Sequence, residues 1–166
     1  MATEVEFRPL SASIEVAASP ATVWGVVSDV RRTGEWSPEC RRVVPLGAVR
    51  SGTWLIGLNR RAKVAWATVS RVTAYEPEAE IGWRVLTNRA EWRYQLQRSP
   101  AGTSMTQTRA TPRGVGRVAA WFTRVFLGGP ASHDDELEVG MSQGLAKIKA
   151  IAEALEQPAG QPADPK

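Results

Sequence analysis

The sequence predicts an α+β domain in which a curved antiparallel sheet of about seven strands wraps around a long C-terminal helix. Three observations predict it. Six extended segments follow one another through short turns, which makes consecutive strands antiparallel neighbours. One long amphipathic stretch closes the chain, with its apolar residues on a single seam. A sheet accompanied by one such helix buries that seam against its concave face.

The elements follow in order. Ser11–Val16 alternates, with Ala12, Ile14 and Val16 on one face, and reads as a half-buried strand. Ser19 and Pro20 then supply an N-cap and a first helical residue. Val23, Val27 and Val30 continue at helical spacing, and the helix is expected to end near Asp29–Arg31. Thr33–Pro38 reads as a short turn or helix stopped by proline. The strands that follow are expected at Arg42–Val49, Thr53–Asn59, Val64–Tyr75, Glu80–Leu86, Ala90–Gln97 and Thr103–Ala110. Val118, Trp121, Phe122, Val125 and Phe126 form an apolar stripe before Gly128-Gly129-Pro130. Ser132, with Asp135 three residues on, reads as the capping box of the last helix. Its seam is Leu137, Met141, Leu145, Ile148, Ala152 and Leu155. The expected organisation is an N-terminal extension over residues 1–9, one domain over 10–156, and a disordered proline-containing tail over 157–166.

Composition removes whole classes of chemistry. With one cysteine, Cys40, and one histidine, His133, no intrachain disulfide, cysteine-rich zinc site or two-histidine site can form. No phosphate loop or cofactor signature is present, so neither a metal nor an organic cofactor is expected. The net charge of +4 lies in short pairs such as Arg31-Arg32, Arg41-Arg42 and Arg60-Arg61, which read as solvated loops, with weak attraction to anionic lipids or ligands as the alternative. A nucleic-acid partner is not expected. No apolar run approaches the roughly 18–20 residues of a membrane span, and the N-terminus lacks the pattern of a signal peptide. A cytoplasmic protein is therefore expected.

Specific stretches resemble the START-like/SRPBCC superfamily with its helix-grip (Bet v 1/START-like) fold. They are similar above all to the actinobacterial polyketide cyclase/dehydrase and lipid-transport group. The matching segments include Ile14–Trp24, Ser28-Asp29, Glu35–Cys40, Gly57–Arg60, Trp66, Val72 with Glu76-Pro77, Trp92–Tyr94, Gly102-Thr103, His133, Gly140-Met141 and the helix from Leu145 to Glu153. The resemblance spans about residues 10–156. It implies an internal cavity, but fold alone assigns no role.

Strand alternation sorts side chains between the two faces. Trp92, Tyr94 and Leu96 are expected inward, as are Ile81, Trp83 and Val85, and Trp66, Thr68, Ser70 and Val72. On Thr53–Asn59 both faces carry hydrophobes. The resemblance places Leu55, Gly57 and Asn59 inside, leaving Trp54, Ile56 and Leu58 as an apolar row on the convex side. Cover by a loop and contact with a second copy are the two readings of that row. The expected ligand-contacting set is Trp36, Glu39, Leu55, Asn59, Trp66, Trp83, Trp92, Tyr94, Gln107, Arg109, His133 and Met141.

Three functions fit these features. The first is binding of a small apolar ligand of lipid, polyketide or isoprenoid type, as a carrier or sensor. The second is a cyclase or dehydratase using Glu39, Tyr94 or His133 as acid or base, with Arg109 or Asn59 steadying an enolate. The third is a regulatory interaction through the convex row. Arg117–Leu127, with its Trp-Phe stripe between arginines, reads as a packed helix, a lid, or a foot for transient membrane contact.

Overall fold

The computed structural model describes residues 9–111 and 130–157, and for residues 130–135 the backbone alone. Strand β1 (Leu10–Val16) leads into helix α1 (Pro20–Val27) and a 3-10 helix (Val30–Glu35). Six strands follow: β2 (Cys40–Pro45), β3 (Trp54–Arg61), β4 (Val64–Glu76), β5 (Glu80–Val85), β6 (Glu91–Ser99) and β7 (Gly102–Ala110). Helix α2 (Pro130–Glu156) ends the described chain.

The strands form one antiparallel sheet in the order β1-β7-β6-β5-β4-β3-β2. Five of its six pairings join consecutive strands, as the short turns require. The sixth brings β1 onto β7, with Leu10 opposite Arg109 and Val16 opposite Thr103. The long strand β4 slips register between Val72 and Ala74 against β5. Such a bulge bends a strand and increases its twist. The sheet is a curved antiparallel grip with a C-terminal helix, the fold class expected.

Ser19 caps α1 as expected, its hydroxyl accepting from the Thr22 amide at 3.3 Å. The helix stops at Val27, earlier than its valine spacing suggests. Both the amide and the hydroxyl of Ser28 turn back to the Trp24 carbonyl, and Val30 begins the tighter 3-10 turn. Strand β2 also ends early, at Pro45 rather than Val49. Proline has no amide to continue the ladder, and Gly47, at φ +109°, bends the chain away.

Helix α2 begins at Pro130, so Ser132 lies inside the helix rather than at its cap. Proline is pre-organised for a first helical position and outcompetes the later serine signal. Leu137, Met141, Leu145, Ile148 and Ala152 of the seam are buried. Leu155 departs from it: it is 61% exposed, in the last turn of the helix. The C-terminal half of α2 is tied to β1 and α1. Glu153 accepts from the Ala17 amide at 2.8 Å, Lys149 donates to the Glu15 carbonyl at 2.8 Å, and Glu156 receives the Thr22 hydroxyl.

The core fills this same end of the grip. Val16, Val23, Val26, Ile81, Met105 and Ile148 have no exposed surface. Trp24 belongs to this packing, edge-on to Tyr75 with ring centroids 5.1 Å apart.

Candidate functional site

The other end of the grip is hollow. A cavity of about 620 Å³ lies between the concave face of β3–β7, the turn after the 3-10 helix and the N-terminal half of α2. That is within the roughly 300–1,000 Å³ of small-molecule sites.

Glycines set the distance between helix and wall. A Cβ on Gly140 would stand 2.8 Å from the Pro38 ring, and one on Gly144 would stand 3.2 Å from the Trp36 carbonyl. Helix α2 thus lies directly on the Trp36–Pro38 turn and carries Met141, 3% exposed, to the cavity. Gly57 clears the opposite wall, where a Cβ would meet the Thr68 hydroxyl at 2.6 Å. That hydroxyl receives the Asn59 amide at 3.2 Å, which fixes the Asn59 side chain at the cavity.

The walls are mainly aromatic and aliphatic. Trp66, Trp83 and Trp92 are half-buried and line the space, with Leu55 behind them. Trp83 is tilted against Tyr94, centroids 5.9 Å apart. Trp36 is buried and donates its indole N–H to the Tyr94 hydroxyl at 3.2 Å. Burial pushes the Tyr94 phenol far above its ordinary range, although the bond from Trp36 opposes this. The phenol therefore stays protonated, and it keeps its own hydrogen for an acceptor in the cavity.

Polar groups gather where β7 and the Glu39 segment meet α2. Gln107 and Arg109 point inward from β7, 8% and 4% exposed, which resolves the facing of that strand. Burial pushes the Glu39 carboxyl up. Arg61 and Arg109 pull it back, and Glu136 adds to the rise. Arg61 forms an ion pair with Glu136 of α2. The arrangement is a partly buried carboxyl within the influence of two guanidinium groups, beside an apolar chamber.

All the expected contact residues except His133 stand at this cavity. His133 is in the first turns of α2, and its side chain lies outside the described residues, as do Arg117–Leu127 and the tail. No local pattern in the sequence marks Arg61 and Glu136, which come together across 75 positions. Thr87 and Asn88, of the β5–β6 turn, line the cavity as well and carry no such mark. Among the described residues no cluster of His, Cys, Asp or Glu suits a metal.

The model of one family, described as polyketide cyclase / dehydrase and lipid transport, matches residues 9–153. The chain belongs to this family. No curated protein matches it by sequence. Among solved structures, the Zhui aromatase/cyclase from Streptomyces sp. R1128 is similar with a TM-score of 0.70 at 20% identity, over 93% of this chain and 98% of that one. The Polyketide_cyc-like protein Cgl2372 from Corynebacterium glutamicum is 27% identical, with a TM-score of 0.58, over 92% and 96%. The di-domain ARO/CYC StfQ from the steffimycin biosynthetic pathway is 11% identical, with a TM-score of 0.67 over 91% of this chain. This family member spans about half, 51%, of StfQ. The matches at 20% and 11% identity speak for the fold.

Proposed function

We propose that this family member binds one largely apolar small molecule, of polyketide, lipid or isoprenoid type, and serves as its carrier or sensor. The observation that carries the reading is the hollow end of the grip. A chain that packs Val16, Ile81 and Ile148 without exposed surface leaves about 620 Å³ open beside them, walled by three half-buried tryptophans. Native interiors are otherwise close-packed. The Tyr94 hydroxyl and the Glu39–Arg109 group offer a donor and charged partners to a polar end of the ligand.

Native mass spectrometry of the purified chain, followed by titration with a polycyclic aromatic phenol monitored by tryptophan emission, tests this. A co-purified apolar mass, or saturable quenching abolished in Trp92→Ala, is expected. A bare polypeptide mass together with no quenching at any concentration sinks the reading.

One observation favours a second reading, a cyclase or dehydratase. Glu39, at the cavity, has its carboxyl pushed up by burial, which makes it a better proton acceptor than an ordinary carboxylate. In that reading Glu39 takes a proton from carbon beside a ketone, and the Tyr94 hydroxyl or the Arg109 guanidinium steadies the resulting enolate. Its signature is Glu39→Gln retaining ligand binding while losing ring closure of a poly-ketone substrate.

A further inference from the structure

Between Glu39 and Glu76 the chain has no acidic residue, although it has 17 in all, and it holds seven of the 21 Lys and Arg residues. This stretch is β2, β3 and β4 with their turns. Five of the seven large apolar side chains exposed among the described residues lie on or beside its outer face. They are Leu46, Trp54, Leu58, Val69 and Leu86, each 40–57% exposed.

The register makes them one patch. Leu46 donates its amide to the Trp54 carbonyl, Ile56 stands opposite Val69, and the Leu86 amide bonds the Val69 carbonyl. Arginines border it. Arg42 stands opposite Leu58, Arg60 follows on β3, and the Arg71 guanidinium lies 5.5 Å from the Trp54 ring centre. No described loop covers the row.

We infer that the outer face of β2–β4 docks on an anionic lipid surface. The face is convex and offers no groove; β3 and β4, which carry most of the row, have their backbone groups paired on both sides, and only the rim strand β2 has a free edge, beyond the apolar centre. What it offers is an apolar centre with a cationic border, on a run from Cys40 to Tyr75 that carries no carboxylate. That is the complement of apolar acyl chains beneath anionic headgroups. A second copy would set two cationic borders against each other. The same strands carry the cavity on their other side: Leu58 is followed by Asn59, and Leu86 by Thr87 and Asn88, all at the cavity. Docking would bring that wall to the membrane, although the inference does not depend on what the cavity holds.

Co-sedimentation of the purified chain with vesicles of phosphatidylserine and phosphatidylcholine, against phosphatidylcholine alone, tests it. Binding to the anionic vesicles, weakened by added salt, is expected. The double variant Trp54→Ser/Leu58→Ser should lower partitioning about tenfold or more, with an unchanged melting curve because both positions are exposed. Arg42→Gln/Arg60→Gln should flatten the salt dependence, and Gln95→Ser, on the far half of the same face, should change nothing. Absence of anionic binding, or binding that survives in both double variants, overturns the inference. So does a stable dimer by light scattering that Trp54→Ser/Leu58→Ser dissociates while vesicle binding is absent.

Discussion

The two halves of helix α2 face the same sheet and meet opposite interiors. In the C-terminal half, Leu145, Ile148 and Ala152 interlock with β1, α1 and Met105 until no space remains. In the N-terminal half, Gly140 and Gly144 lie against the Trp36–Pro38 turn, and Leu137 and Met141 border the cavity. The difference is one of side-chain volume and of ties. Branched aliphatics and the polar links of Lys149, Glu153 and Glu156 fasten the solid end, whereas glycines, flat rings and the Arg61–Glu136 ion pair frame the hollow one. Stability is concentrated at one end of the grip, so the other can keep an opening.

Equivalent truncations at the two ends are the strongest way to break this comparison. Ile148→Ala should cost about 2–5 kcal/mol, because it empties a site that cannot collapse. Met141→Ala should lie at the low end of that range, about 2 kcal/mol, because its side chain already borders open space. Equal losses in denaturant titrations of the two variants would show that the hollow end is not hollow in solution.

A smaller effect is expected for Tyr94→Phe, which leaves the buried Trp36 N–H without its acceptor. The loss should be about 1–3 kcal/mol, with a shift in indole emission; a variant as stable as the parent would mean that the bond is not formed.

The smallest effect is a pH dependence. Glu39 has a folded-state pKa raised above its unfolded value, so the folded chain holds that proton more tightly. Its contribution favours folding below the unfolded pKa, and this is lost as pH rises through the raised folded value. Melting curves across that window should fall with pH in the parent and flatten in Glu39→Gln. A parent that gains stability over the window through this residue contradicts the burial of its carboxyl.

Much of this was legible in the sequence, for a physical reason. Period-two alternation fixes which face of a strand is apolar, so Trp83, Trp92 and Tyr94 are read inward from neighbours alone, whereas Trp66 needs the family resemblance beside it. Alternation fails where a strand carries hydrophobes on both faces, and only the family resemblance decided Leu55 and Asn59. Contacts between distant segments leave no local trace, so Arg61 beside Glu136 was not visible. The start of α2 was misread because two valid signals, Pro130 and Ser132, stand two residues apart. The acid-free run from Cys40 to Tyr75 was present in the sequence. It became meaningful only when the sheet order stacked its apolar residues on one outer face.

The aromatic pairs have an optical consequence. The chain contains two tyrosines, and each has its ring against a tryptophan: Tyr75 with Trp24, Tyr94 with Trp83. At such separations excitation of either phenol passes to the neighbouring indole before it can be emitted. The folded protein should therefore emit as if it had no tyrosine. The two pairs sit in different places, one in the solid core and one at the chamber wall. With one tyrosine replaced at a time, returning phenol emission would report separately on the opening of each end of the grip.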